Sequence, residues 1–150
     1  MRLLGAPFTD EERLAAIAAA RALLGVRWGH HGRGRRLDCL GMVHAAACAV
    51  RPAIPALPTD YGRTPYGGTL RSRMCQWLGD PVQREPRPGD VVSWTLAGEE
   101  NHVGLITDHR DYGIGLIHCY ARTAGGSGGK VIEHGIDAKE RRRIVEVWAL

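Results

Sequence analysis

The stretch Arg36-Leu37-Asp38-Cys39-Leu40-Gly41-Met42-Val43 decides how this chain is organised. It joins a basic, glycine-rich segment to an apolar run that continues to Val50 and is ended by Arg51-Pro52. This pattern predicts a helix with Asp38 as its N-cap and Cys39 in its first turn. The unpaired amide N–H groups and the helix dipole favour an anion there. We therefore expect a lowered pKa and a nucleophilic thiolate at Cys39, unless it is a packing residue like most free cysteines.

Size and composition fit one globular domain. The chain has 150 residues, of which 44% are hydrophobic and 24% are charged, and this length supports one core rather than two. Twenty basic and sixteen acidic residues give a net charge of +4, which favours anionic surroundings without identifying a partner. Aromatic residues make up only 6% and do not accompany the arginine clusters. The composition therefore argues against nucleic acid as a partner.

The apolar segments and the cysteines indicate the compartment. Residues 1–7 are too short an apolar run for a signal peptide, and no later segment is long enough to span a bilayer. We therefore expect synthesis in the cytoplasm, without a signal peptide and without a membrane span. The four cysteines, at positions 39, 48, 75 and 119, form no Cys-x-x-Cys pair. Free thiols are expected, with the last three as packing residues.

Helix patterns dominate the first half of the chain. Thr9 and Glu12 form a capping box, which predicts a helix that ends at Gly25. Its predicted buried face contains Leu14, Ile17, Ala18 and Leu24. A loop over 26–36 precedes the Cys39 helix. After that helix, a loop rich in Pro and Gly and a short helix over 69–79 are expected.

Strand patterns begin after the turn Arg87-Pro88-Gly89-Asp90. The predicted strands cover 91–94, 102–107, 114–120, 131–133 and 143–148. The glycine-rich segment 123–129 between two of them is expected to be flexible and exposed. There is no internal repeat and no domain boundary. Helices followed by short strands imply an α+β domain, in which N-terminal helices pack on one side of an antiparallel sheet.

Two histidines on neighbouring predicted strands stand out. His102 begins one strand and His118 lies near the end of the next, so pairing as a hairpin would place both on one face. A thiol from a helix packed across that sheet would then meet His102 as its base, with His118 orienting the imidazole. Each could instead be a structural residue of its strand. The other histidines are expected at the surface or in loops: His30, His31, His44, His109 and His134.

Four segments resemble, in order, the motifs of the NlpC-type cell-wall cysteine peptidases. Residues 37–43 are similar to the family's Asp-Cys-Ser-Gly-Leu-Val nucleophile motif, and residues 87–92 to its Pro-Gly-Asp strand entry. Residues 101–106 are similar to its His-Val-Gly-Ile motif, and residues 116–119 to its Ile-His-Ala motif. The tail, residues 130–150, resembles the bacteriophage and gene-transfer-agent tail-peptidase branch.

The resemblance implies a papain-like α+β fold and a Cys-His-His triad, with no metal and no cofactor. By position, Cys39 is the nucleophile, His102 the base and His118 the orienting residue. The substrates it implies are peptidoglycan stem peptides, commonly cut between D-glutamate and diaminopimelate. It also implies a protein carried by a phage-like tail, with tail or baseplate proteins as partners, that acts in the periplasm and cell wall.

The segment before the cysteine departs from the family pattern. The family's Pro-Tyr-x-Trp-Gly-Gly segment, whose tyrosine helps the oxyanion site, corresponds here to residues 26–30, which contain no tyrosine. Trp28 and His30 are the candidate substitutes, and the N–H of Cys39 is a further oxyanion donor. Asp38 either caps the helix or holds a substrate amine.

Other functions fit the same residues. A zinc site could use Cys39, His102, His118 and Cys119, which are all suitable ligand types. Adjacent strand residues point to opposite faces, however, so His118 and Cys119 could hardly bind one ion. A structural tail component with the peptidase fold and little activity would keep the scaffold alone. An amidase or acyltransferase on the same scaffold would keep the triad.

Overall fold

Helices from the first half of the chain pack on one face of an antiparallel sheet. The computed structural model describes residues 2–60, 68–96, 99–120 and 129–150. Within them the helices are α1 (Asp10–Arg21), α2 (Cys39–Val50), α3 (Thr69–Leu78) and the short α4 (Ala138–Arg141). The strands are β1 (Asp90–Leu96), β2 (Glu99–His109), β3 (Gly113–Cys119), β4 (Val131–Gly135) and β5 (Ile144–Ala149). Their spatial order is β4-β3-β2-β1-β5, so the predicted α+β architecture is confirmed.

The predicted elements are present with shifted boundaries. β2 begins before His102, and β4 continues past Glu133 to Gly135. The short helix α4 is not evident in the sequence, because four residues are too few to show a helical period. Residues 123–128 of the predicted flexible segment and residues 61–67 of the earlier loop lie outside the described residues. In the described part of the chain, no helix has the length and apolar character needed to cross a membrane.

Apolar side chains form a layer on each face of the sheet. The larger layer, called the helix-side layer below, joins α1, α2 and α3 to one sheet face, and Val103, Leu105 and Cys119 belong to it. The smaller layer covers the opposite face and includes Ile106 and Leu116. Side chains alternate along a strand, so neighbours such as Leu105 and Ile106 belong to different layers. Removing both sets from water provides the main driving force for this packing.

The predicted start of α1 is confirmed, but of its four predicted buried residues only Ile17 is buried, and Leu14, Ala18 and Leu24 are exposed. Thr9 and Glu12 form the capping box, and the helix ends at Arg21, before the predicted end. Leu14 is 59% exposed. The buried side chains are Arg13, Ala16, Ile17 and Ala20. Arg13 turns inward to reach a buried carboxylate, and the small alanines allow α1 to pack closely against α2.

The start of α2 is built as the sequence predicts. Oδ1 of Asp38 accepts a hydrogen bond of 2.6 Å from the N–H of Gly41, so Asp38 is the N-cap. The same oxygen lies 2.8 Å from Nη1 of Arg33, in the preceding loop. A Cβ at Gly41 would collide with the carbonyl oxygen of Gly32, so glycine lets that loop lie against the helix. Together these contacts hold Cys39 in the first turn.

Asp90 ties α1 to the start of β1. Its fully buried carboxylate accepts hydrogen bonds from Nη2 of Arg13 at 2.9 Å and from both Nη atoms of Arg84 at 2.5 and 3.0 Å. The N–H of Arg87 donates to it at 2.9 Å. Arg13 also donates to the carbonyl of Pro88 at 2.7 Å. The Pro-Gly-Asp turn is therefore held by a buried ion-pair network.

We expect Asp90→Ala to lower the free energy of unfolding by about 3–5 kcal/mol, because it leaves the buried Arg13 guanidinium without its counter-ion. Urea unfolding followed by circular dichroism measures the change. Asp111→Ala is the matched control, since Asp111 is exposed in the turn between β2 and β3. It should remain within about 0.5 kcal/mol of the wild type. An equally small change at Asp90 would contradict a stabilising role for the network.

Candidate active site

Cys39 lies in the first turn of α2 with its sulfur against β2. The residue is half-buried and packs on the layer between the helices and the sheet. The backbone N–H of Val103 and that of Leu40 are both directed at the sulfur, where they favour the thiolate. Val103 immediately follows His102, so the start of α2 meets β2, the strand that carries His102, at this point.

The sheet opens where the Cys39 sulfur lies. Strands β2 and β3 pair from His109 and Gly113 as far as Leu105 and Ile117. Beyond that point β2 continues along β1, while β3 continues along β4. Val103 is past the end of the β2–β3 ladder, which leaves its N–H available to the sulfur. The opening thus gives a helix residue access to the backbone of a central strand.

His102 and His118 are in contact at the same end of the sheet. Nε2 of His102 lies 2.6 Å from Nδ1 of His118, and the two rings are nearly perpendicular. His102 is only 4% exposed. Because Nε2 of His102 is engaged by His118, Nδ1 is the ring nitrogen left to accept a proton.

The sulfur and the histidine rings lie on different sides of β2. Cys39 packs on the helix side with Val103, whereas strand alternation assigns His102 and His118 to the face of Ile106. Within the described residues, no hydrogen bond joins the Cys39 sulfur to either ring. Catalytic hydrogen bonds are often long in a free enzyme and shorten only when substrate is bound. The structure therefore brings the two histidines together and places the sulfur beside the peptide that follows His102.

Exclusion of water determines the charges in this site. Burial raises the pKa of the Cys39 thiol to about 12, and the neighbouring Asp38 carboxylate acts in the same direction. Burial lowers the pKa of His102 to about 4 and that of His118 to about 2, and repulsion between the histidines adds to both shifts. The expected lowering of the thiol pKa is therefore wrong, because loss of water outweighs the N–H groups at the helix start. At neutral pH the thiol and both rings are neutral.

A third histidine extends this pair. Nε2 of His118 lies 3.0 Å from Nε2 of His134, which is half-buried in β4. In the β3–β4 register His118 is opposite Ile132 and Leu116 is opposite His134, so these side chains share one face. His134, expected at the surface or in a loop, is a half-buried strand residue rather than a loop residue, because β4 extends to Gly135. The alternation of Ile132 and His134 was the sequence pattern that could have revealed it.

The remaining candidate residues surround the helix start. Trp28 is half-buried against the helix-side layer, and His30 is exposed and stacks on His31 at 3.8 Å between ring centroids. Asp38 is 4% exposed and serves as the cap. Contacts of Trp28, His30 or Asp38 with a substrate stay predictions.

The structure also shows where the other cysteines and the candidate zinc ligands lie. Cys48 and Cys75 pack against the helix-side layer, and the buried Cys119 donates from Sγ to the carbonyl of Leu37 at 3.1 Å. His118 and Cys119 belong to opposite faces of β3, as strand alternation predicts. Among the described side chains, no group of three or more His, Cys, Asp or Glu is arranged to hold a metal ion.

Comparisons with known proteins identify the fold. No family model and no curated protein matches the sequence. The NlpC/p60 domain of the peptidoglycan hydrolase SagA matches with a TM-score of 0.58 at 15% identity, over 92% of this chain and 98% of that one. The P60 domain of antigen MAP1204 from M. avium subspecies paratuberculosis matches with a TM-score of 0.55 at 14% identity, over 93% of each chain.

A third similar structure is larger than this chain. It is a protein of the NLP/P60 family, described as similar to lipoprotein, from Staphylococcus aureus subsp. aureus Mu50. It matches with a TM-score of 0.56 at 15% identity, over 96% of this chain and 43% of that one. At these identities the likeness shows the fold, which is that of NlpC/p60 domains.

Proposed function

We propose that this chain is an NlpC-type cysteine peptidase that cleaves stem peptides of peptidoglycan. The observation that carries the proposal is the position of Cys39, at a helix start with its sulfur against the residue that follows His102. The fold is shared with a domain of a peptidoglycan hydrolase. The order of the Asp-Cys, Pro-Gly-Asp, His-Val-Gly and Ile-His motifs along the chain supports the same assignment.

In the proposed first step, Cys39 is the nucleophile and His102 is the general base. Because the resting thiol is neutral, its proton passes to Nδ1 of His102 as the sulfur attacks the amide carbonyl. The S–C bond forms, and the carbonyl π electrons move onto the oxygen. His118, in contact with Nε2 of His102, orients the ring and stabilises the imidazolium.

Collapse of the tetrahedral adduct releases the amine. The C–N bond breaks, and His102 gives its proton to the leaving nitrogen. A water molecule then loses a proton to His102 and attacks the thioester, the C–S bond breaks, and the sulfur recovers the proton. The N–H of Cys39 in the first turn of α2 is the proposed oxyanion donor, with Trp28 or His30 in the place of the family's tyrosine.

The proposal also specifies which peptide bond is cleaved and where the protein acts. We infer cleavage between D-glutamate and diaminopimelate from the motifs, and the net charge of +4 suits an anionic cell wall. The similarity of residues 130–150 to the tail-peptidase branch supports a protein carried by a phage-like tail, bound to tail or baseplate proteins. In that setting it would act in the periplasm and cell wall during penetration.

Mass spectrometry of the fragments released from purified peptidoglycan tests the bond. We expect stem peptides cut after D-glutamate, with a new free amino group on diaminopimelate. Cys48→Ala is the matched control, because Cys48 is half-buried in the same helix, 3.5 Å from Nε2 of His44, and it should release the same products. Whole stem peptides freed from the glycan would instead identify an amidase.

A structural tail component is the second candidate. The absence of a hydrogen bond between the Cys39 sulfur and His102 among the described residues favours it. A folded wild type that releases no fragments from any wall chemotype would support this candidate and contradict the peptidase.

A further inference from the structure

Three histidine rings and one backbone carbonyl form a continuous chain leading away from Cys39. Nε2 of His102 lies 2.6 Å from Nδ1 of His118, and Nε2 of His118 lies 3.0 Å from Nε2 of His134. Nδ1 of His134 lies 2.9 Å from the carbonyl oxygen of Gly135. Adjacent rings in the chain are close to perpendicular, with centroids 4.8 and 5.0 Å apart.

When all three rings are neutral, the carbonyl at the far end fixes the direction of every hydrogen bond in the chain of rings. A carbonyl oxygen can only accept, so Nδ1 of His134 carries the proton and donates to Gly135. A neutral His134 then has an unprotonated Nε2, which must accept from Nε2 of His118. Nδ1 of His118 is consequently the acceptor for Nε2 of His102. The last free position, Nδ1 of His102, is left without a proton.

We propose that His134 is a positioning residue that fixes the tautomers of His118 and His102, so that His102 presents an unprotonated Nδ1 to the thiol. The inference rests on the proposed function, because the free nitrogen matters only if His102 acts as a base. The tautomers can nevertheless be measured without any turnover. His134 acts through two rings and touches neither the thiol nor the reacting bond in this proposal.

The surroundings of His134 hold the end of the chain in place. Gly135 pairs with Gly115 in the β3–β4 ladder, and the ring of Tyr112 occupies the space where a Cβ of Gly135 would lie. Oε1 of Glu140, at the start of α4, lies 3.8 Å from Nδ1 of His134. A carboxylate at this end favours the positive charge that enters the chain when His102 takes the thiol proton.

The experiment compares His134→Leu with His134→Gln. Leucine fills space but cannot accept a hydrogen bond, whereas glutamine can present Oε1 to the Nε2–H of His118. In ¹⁵N-histidine-labelled protein at pH 8, NMR should find the Nε2–H tautomer of His102 in the wild type and in His134→Gln. In His134→Leu we expect a mixture of His102 tautomers, and kcat lower by about 10–100-fold with KM unchanged.

His109→Leu is the matched control, since it makes the same replacement at a half-buried histidine on β2 that is not part of this series of rings. It should keep both the His102 tautomer and kcat. A folded His134→Leu variant in which His102 keeps the Nε2–H tautomer would overturn the proposal, whatever its activity. Equal losses of kcat in the leucine and glutamine variants, with the tautomer unchanged in both, would likewise assign His134 a packing role. If the wild type does not turn over peptidoglycan, the NMR comparison still tests whether His134 fixes the tautomers of His118 and His102, and only the proposed function fails.

Discussion

Cys39→Ala should abolish release of peptide fragments from peptidoglycan, with kcat/KM reduced by at least about 10⁴-fold. The physical reason is that the alanine variant has no atom that can form the covalent bond to the substrate carbonyl. His102, His118 and the helix start would remain in place. The measurement is fragment release from purified peptidoglycan, quantified by chromatography at several enzyme concentrations.

The fold of the variant is checked separately, because Cys39 also packs against the helix-side layer. Its thermal transition and circular dichroism spectrum should resemble those of the wild type, since the side chain is half-buried and small. Cys48→Ala is the matched control, because it removes a thiol from α2 and keeps the nucleophile. Retention of a tenth or more of the activity by a folded Cys39→Ala protein would exclude the thiol mechanism.

His102→Gln should lower kcat by about 10³-fold or more, because the proposed mechanism assigns to His102 both the removal of the thiol proton and its transfer to the leaving amine. Glutamine occupies a similar volume and keeps a polar atom for His118. The loss should therefore appear in kcat, with KM little changed. His109→Gln, at the far end of β2, should keep full activity. A similar loss in both variants would mean that the effect comes from the sheet rather than from the base.

The same substitution should change how stability depends on pH. In the folded chain the pKa of His102 is about 4, below its ordinary value of 6.5, so the unfolded chain binds more protons between these two values. Stability contributed by neutral His102 is therefore complete above about pH 6.5 and is lost progressively as the pH falls towards 4. Urea unfolding at pH 7.5 and pH 5 should show a smaller difference for His102→Gln than for the wild type. An unchanged difference would contradict the lowered pKa.

Much of the fold could be predicted because its causes are local. Asp38 accepts from Gly41 three residues later, and Thr9 and Glu12 cap one another within a single turn. The strands show period-two patterns over a few residues each. The buried face of α1 could not be predicted in this way, because it depends on the pairing of Arg13 with Asp90, which lies far along the chain.

The candidate site, too, could be predicted only in part from the sequence. The sequence identified Cys39, His102 and His118 as residues worth testing, through their positions in motifs and on predicted elements. It did not identify His134, because the alternation of Ile132 and His134 indicates a shared strand face but not the ring of His118 on the neighbouring strand that His134 contacts. It also predicted the wrong direction for the pKa of Cys39, because the helix start is visible in the sequence and the exclusion of water is not.

The sequence by itself determined the order of helices and strands, the cap in front of Cys39 and the three candidate residues. These depend on hydrogen bonds and side-chain periodicity within a few residues. Only the tertiary structure decided which face of α1 is buried, where the β2–β3 ladder opens and which histidines touch. It also decided that the resting Cys39 thiol and the rings of His102 and His118 are neutral. Burial and contacts between distant strands arise from the packing of the whole chain, and desolvation at such a site is stronger than the field of one helix end.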